Sequence, residues 1–339
     1  MRPCVCVINT GGTLTMVNSE RGYVPSAGFL EKVMDRLPLA WRESIPDIRY
    51  SEWTPLLDSS NIEPRHWQTL AQQIADQHDE VTGFVILHGT DTLAYSASAL
   101  SFLLPGLSRP VILTGAMQPL DVRNSDAPNH WYIALQAACS QLPEVAIAFD
   151  NRLMRGCRST KLNAAEVTAF ASPRYPDLGR AQTTPQGPQW QFAQANWLES
   201  RALQHLSAPL LPGLVRVVWL VPGLPDVALR ALPDQGCRVL ILVIFGGGNA
   251  PSANPTFMAT LTFLRKAGVH ILTVSQCPFG QIEDSHYEAG RCLQDLGIQH
   301  GRGITLEAAY TKALVGASQA WDNSDLDSFL LRNQIGEQG

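Results

Sequence analysis

Charge is scarce in this chain. Asp, Glu, Lys and Arg make up 16% of its 339 residues, the formal net charge is −5, and no run of like charge occurs. Proteins that grip nucleic acid or a membrane surface usually carry a basic patch, so neither partner is expected and a small molecule is. Long hydrophobic runs are missing as well. Although 45% of the residues are hydrophobic, no stretch approaches the roughly 18 uninterrupted apolar residues of a membrane span. None of the eight histidines stands in a His-x-x-x-His pair, and the seven cysteines form no Cys-x-x-Cys. No metal and no cofactor is therefore expected. Cys4, Cys6, Cys139, Cys157, Cys237, Cys277 and Cys292 are odd in number and scattered, several of them inside apolar runs. They read as reduced thiols packed like small hydrophobes. Met1-Arg2-Pro3 leads straight into a strand-like run with no leader of secretory length, so a cytoplasmic protein is expected.

What is present is an alternation of short apolar runs with helix-period segments, the signature of a parallel sheet covered by helices. Strands are predicted over 5–8, 84–87, 111–113 and 145–149. Helical spacing links Phe29, Leu30, Val33, Met34 and Leu37, and again Trp67, Leu70, Ala71, Ile74 and Ala75 after Pro64, a natural first-turn residue. A further helix is predicted over 93–104. From about 177 to 213 Pro, Gly, Gln and Thr dominate and periodicity fades, which reads as a linker with some extended pairing. A second block follows, with strands over 215–221, 239–245 and 270–274 and helices over 226–232, 256–266, 305–315 and 326–331. The chain is too long for one compact core. The expected fold is α/β with two domains: a larger N-terminal parallel-sheet domain of flavodoxin/Rossmann-like kind (1–180, catalytic), a linker (181–213) and a smaller C-terminal α/β domain (214–339).

Ligands of open parallel sheets bind outside the carboxyl ends of strands, so polar residues just after apolar runs carry the functional question. Asn9-Thr10-Gly11-Gly12-Thr13 follows the first strand. Its adjacent glycines permit a sharp turn and a close approach of backbone to ligand, and a threonine beyond them can present a hydroxyl. A nucleotide-binding turn or a plain tight loop would look similar, although no Gly-x-Gly-x-x-Gly or Gly-Lys-Ser/Thr accompanies it. His88-Gly89-Thr90-Asp91-Thr92 follows the 84–87 strand. Helix capping accounts for Asp91 equally well. Two hydroxyls bracketing a carboxylate also suit proton handling and recognition of a cationic amine, with the Thr90 backbone N–H free to face an oxyanion. Arg158-Ser159-Thr160-Lys161 follows the 145–149 strand. Lys161 is either a solvated surface residue or, if placed beside Asp91 and Thr90, a partner in proton exchange.

Together, in this order, the motifs resemble those of bacterial-type L-asparaginases, more closely the cytoplasmic type I branch, over nearly the whole length. The resemblance rests on Thr10-Gly11-Gly12-Thr13 and on 84–92, with support from Gly22-Tyr23-Val24-Pro25, Asp58-Ser59-Ser60, Leu113-Thr114-Gly115-Ala116-Met117 and Gly248-Asn249-Ala250-Pro251. It implies hydrolysis of L-asparagine, with a weak glutaminase side activity, through a threonine nucleophile and an acyl-enzyme. Thr13 is then the nucleophile, Thr90, Asp91 and Lys161 form a second catalytic group, and Tyr23 sits on a closing loop where it can relay the Thr13 proton. Which group is the base for each step stays open. Asp91 would meet the substrate's α-ammonium, and Asp58, Ser59 and Ser60 its α-carboxylate, although a helix-capping loop explains the last three equally. Ala116 matches a position whose carbonyl touches the substrate amide. Ser60 stands where secreted relatives carry glutamine. The register of Gln281-Ile282-Glu283-Asp284 is ambiguous, so Glu283 receives no role. The apolar Leu242-Val243-Ile244-Phe245 run gives no ground for an effector site. A homodimer or homotetramer is implied.

Other readings remain. An amidotransferase subunit would carry an additional N-terminal domain, and a relative with ankyrin repeats would extend beyond Leu331. A non-catalytic amino-acid sensor on the same scaffold has no need of both threonines and the lysine. A dinucleotide enzyme built on Gly246-Gly247-Gly248 lacks the spaced third glycine and the acidic partner.

Overall fold

A computed structural model describes residues 2–20, 22–280, 282, 288–319 and 321–339. The chain forms two compact units, residues 1–207 and 208–339.

The first unit is built on an eight-stranded sheet. Along it the strands run Gly187–Phe192, Gly179–Thr184, Arg152–Arg155, Val145–Phe149, Val111–Thr114, Gly83–Leu87, Cys4–Gly11 and Asp47–Leu57. The last five in this order are mutually parallel, and the first three join antiparallel. Gly83–Leu87, Val111–Thr114 and Val145–Phe149 are buried at every residue. Helices cover both faces of such strands, so their sequences are apolar throughout rather than alternating. Pro64–Gln77 starts with Pro64 inside its first turn, Glu63 and His66 closing a reciprocal cap. Leu93–Leu103 is buried almost all round, and its Ala and Ser residues let the sheet come close. Trp131 of the Ala127–Ala138 helix lies in the core against Phe29, edge to face at 5.6 Å.

Cys4–Gly11 pairs on one side with Asp47–Leu57, the next strand of this sheet along the chain, and on the other with Gly83–Leu87. The chain thus reverses its direction of travel across the sheet between Cys4–Gly11 and Gly83–Leu87. A crevice opens at the carboxyl ends of strands at such a reversal. Both threonine loops leave the sheet there.

The second unit carries a parallel sheet in the order Val215–Trp219, Val239–Ile244, His270–Ser275, Gln299–His300. The Pro255–Lys266, Leu306–Ser318 and Asn323–Leu331 helices are each capped by a side chain, from Asn254, Thr305 and Asp322. Gly246-Gly247-Gly248 turns the chain after Val239–Ile244, closed by a bridge between Phe245 and Asn249.

The sequence reading of 181–213 as a linker is corrected in part. Gly179–Thr184 and Gly187–Phe192 form a hairpin that extends the first unit's sheet, and that unit runs to Ser207. The strands lie at the sheet's end, where one edge faces no partner, so Pro188 and polar residues are tolerated there and mimic a loop. Among the described residues no cysteine is in a disulfide, and burial pushes the Cys6 and Cys139 thiols up to about 11, which keeps them protonated.

Candidate active site

The first loop is shaped from behind. Asn9, the last-but-two residue of its strand, accepts the Gly11 N–H with its side-chain oxygen (3.0 Å). Its amide nitrogen donates to Tyr50 Oη (3.0 Å) and Glu52 Oε2 (2.8 Å). Tyr50 donates to the same carboxylate oxygen at 2.8 Å, and desolvation raises its phenol well above the ordinary range, so it stays a donor. Thr10 hydroxyl donates to the Leu87 carbonyl (2.8 Å), binding the two strand ends together. Gly12 has φ +93°, and a Cβ there would lie within the Gly89 backbone. Only glycine allows the first loop to touch the second backbone to backbone. Gly89 is constrained in turn, because a Cβ on it would run into Ser59.

These contacts gather Thr13, Asp58, Ser59, Thr90, Asp91 and Lys161 around one pocket of about 200 Å³. Lys161 Nζ donates to Thr90 Oγ1 (2.8 Å) and Asp91 Oδ1 (2.7 Å). Its ammonium is largely shielded while the Asp91 carboxylate reaches into solvent. Asp91 therefore does not cap the following helix; Thr92 occupies that place and gives its hydroxyl to the Ser59 carbonyl (2.7 Å). Thr13 begins a short 3-10 turn, and its hydroxyl is hydrogen-bonded to no described residue. Asp58 does cap a turn: its Oδ1 accepts from the N–H and the hydroxyl of Ser60 (2.9 and 2.8 Å).

Three expected residues stand off this wall. Tyr23 lies on a hairpin of Met16–Ser19 with Gly22–Pro25, opposite Asn18, and is 52% exposed. Ser60 is exposed and committed to Asp58. Ala116 is fully buried, and its neighbour Met117 lines the pocket instead. Asp126 holds that segment by accepting the Met117 and Gln118 N–H groups (2.7 and 2.9 Å). Gln281, Glu283 and Asp284 lie outside the described residues.

Sequence reasoning missed Asn9, Tyr50, Glu52 and Asp126, and gave His88 no part. His88 and Asn9 were findable, because each is a polar residue close to the carboxyl end of a buried strand. Among the described residues no group of three or more His, Cys, Asp or Glu is placed to hold a metal. A larger groove of about 520 Å³ borders Arg152, Asp177 and Arg180 on the same unit. Both arginines there are already paired with Asp177, so the smaller pocket is the better candidate for chemistry.

An ammonium, a carboxylate and several hydroxyls around a small cavity are the equipment of a hydrolase acting on a compact polar molecule, and the pocket is below the size of sites for drug-sized ligands. Fold and pocket together define the class: a two-unit α/β protein with a candidate hydrolytic site at the sheet's switch point. Comparison with known proteins gives the family. Residues 4–194 match the asparaginase N-terminal model and residues 214–330 the glutaminase/asparaginase C-terminal domain. The chain is 37% identical over 340 residues to L-asparaginase 1 of Escherichia coli strain K12, covering 98% of this chain and 97% of that one. It is 31% identical to the L-asparaginase of Thermococcus kodakarensis, with 98% of each chain covered. The crystal structure of L-asparaginase I from Vibrio cholerae superposes with a TM-score of 0.88 at 35% identity, covering 100% of both chains. The chain belongs to the asparaginase family, a family of amidohydrolases.

Proposed function

We propose that this protein is an L-asparaginase that hydrolyses L-asparagine to L-aspartate and ammonia through Thr13. The observation that carries this reading is the single pocket in which the uncommitted Thr13 hydroxyl shares walls with the Lys161–Thr90–Asp91 cluster. Thr13 Oγ1 attacks the side-chain amide carbon and loses its proton as the bond forms. The resulting oxyanion is met by backbone N–H groups, that of Thr90 foremost. The amide nitrogen gains a proton and leaves as ammonia, which gives an ester on Thr13. Water then attacks the ester and releases aspartate. Tyr23 is the proposed proton carrier for Thr13 once its hairpin closes over the pocket. Thr90, accepting from Lys161, keeps its own hydroxyl proton to orient the water. Asp91 pairs with the substrate's α-ammonium. Ser59 and the Asp58 backbone receive the α-carboxylate, Ser60 fixes that turn, and the Ala116 carbonyl accepts from the substrate amide.

Ammonia release from purified protein tests the reading, with glutamine alongside asparagine to detect the weaker side activity. Thr13→Ala is expected to lower kcat by roughly 10³-fold or more while the thermal transition is kept. Retention of most activity in that variant removes the mechanism. Heat of asparagine binding without any turnover would instead favour a sensor. The protein is further proposed to act in the cytoplasm as a homodimer or homotetramer. Cell fractionation and light scattering check these two points, and a secreted or monomeric protein refutes the one concerned.

A further inference from the structure

We infer that His88 is a positioning residue that acts through the Gly89–Thr90 peptide: held from behind by Ser96 and Trp67, its ring aims and polarises the peptide whose N–H faces the pocket. This inference rests on the reading of Thr90 N–H as an oxyanion donor.

His88 is the first residue after the buried Gly83–Leu87 strand and has no solvent exposure. Its Nδ1 lies 2.7 Å from the Gly89 carbonyl oxygen and its Nε2 lies 2.9 Å from Ser96 Oγ. Ser96 Oγ also lies 2.8 Å from Trp67 Nε1. The direction of each bond follows from what the atoms can do. An indole N–H only donates, so Trp67 gives its hydrogen to Ser96. A carbonyl oxygen only accepts, so His88 Nδ1 carries a hydrogen and gives it to Gly89. Ser96 has its own hydrogen left, and Nε2 takes it. All three hydrogens point one way, from Trp67 through Ser96 and His88 to Gly89. The opposite tautomer would set the Nδ1 lone pair against that of the carbonyl. Burial pushes the imidazole down to about 4, so the ring is neutral at pH 7.

The Gly89 carbonyl and the Thr90 N–H are the two ends of one peptide group. A hydrogen bond accepted at the oxygen polarises the group and makes its N–H a stronger donor, by about 10–30% per bond in a chain of this kind. The Thr90 N–H donates to no described protein group, and Thr90 lines the pocket. Trp67 belongs to the Pro64–Gln77 helix and Ser96 to the Leu93–Leu103 helix. The relay therefore ties the orientation of one peptide to two packed helices. Gly12 lies close against the Gly89 N and Cα, and Ser59 fills the space where a Gly89 Cβ would stand, so the residue that begins this peptide is confined as well.

The test combines spectroscopy on the unaltered protein with kinetics on variants. Imidazole nitrogen shifts are expected to show His88 neutral and protonated at Nδ1 from pH 5 to 8; an Nε2–H tautomer, or titration near 6.5, overturns the inference. Ser96→Ala and His88→Ala are expected to lower kcat for asparagine by about 10- to 100-fold with KM little changed, short of the ~10²–10³ that loss of an oxyanion donor itself costs. His88→Asn places an amide N–H within reach of the Gly89 carbonyl and is expected to recover most of the loss. Folded variants with unaltered kcat, or a loss confined to KM, refute the relay. Should His88→Ala fail to fold, Ser96→Ala and the tautomer decide. Wild-type protein without turnover, or turnover that survives Thr13→Ala, removes the underlying reading instead. Turnover that needs Thr13 but ignores Ser96 and His88 removes the relay alone.

Discussion

Lys161 joins the site from a two-residue strand paired with Phe170–Ala171, some seventy residues beyond the two groups to which it donates. Its pairing with Asp91 is half open to water, since the carboxylate side chain is 66% exposed. Exposed pairs of this kind contribute at most about 1 kcal/mol. Replacing Lys161 with Met should therefore leave thermal stability nearly unchanged while ammonia release falls by about 10²-fold or more, because Thr90 and Asp91 lose the charged donor that positions them. A variant that loses stability and activity in step would mark Lys161 as structural. At this scale the sequence was informative where polar residues follow a buried strand: Thr13, Thr90 and Asp91 were singled out there, and they meet at one pocket. It was silent on Asn9–Tyr50–Glu52, because a network that joins positions forty residues apart leaves no local pattern. The sequence was equally silent on which of two neighbours in a loop lines the pocket, Ser59 or Ser60 and Ala116 or Met117, because an irregular loop has no side-chain period to read.

Among the elements, the parallel strands were the easiest to recognise. Gly83–Leu87 and Val145–Phe149 are covered on both faces, so hydrophobicity alone reveals them. Asp47–Leu57 escaped because it lies at the sheet's edge and carries Ser, Glu and Pro in a half-exposed pattern. The hairpin of 179–192 was read only as a linker with some extended pairing for the same reason. Its Trp190 donates to the Ile133 carbonyl (2.9 Å) and stacks on Phe192. A linker residue would tolerate replacement within about 0.5 kcal/mol. Trp190→Ala is expected to cost about 2 kcal/mol, less than a fully buried tryptophan because the ring is half-exposed. Urea denaturation distinguishes the two, and a near-neutral result would return the hairpin to the status of a linker.

For the molecule as a whole, buried neutral histidine couples folding to pH. The His88 imidazole sits at about 4 in the fold against an ordinary 6.5, chiefly through desolvation. The unfolded chain thus takes up a proton, as pH falls through 6.5, that the folded chain refuses until about 4. The associated stability is present above 6.5 and is lost on the way down to 4, a change of about 3 kcal/mol. His130, also buried and shifted down mainly by desolvation, acts in the same direction. Urea midpoints measured from pH 7 to 4.5 should fall steeply in the wild type and less so in His88→Asn. Equal slopes would show that His88 does not carry this linkage.

The order of apolar and polar residues by itself determined the α/β character, most parallel strands, most of the helices that cover them and the polar loops that meet at the candidate site. These follow from local periodicity and from the composition of segments buried on both faces. Only the tertiary structure decided which strand neighbours which, that the 179–192 segment joins the sheet, and which side chains at each loop face the pocket. Those outcomes depend on backbone contacts between distant residues, such as Gly12 against Gly89, and on hydrogen-bond directions that exist only once the loops have met.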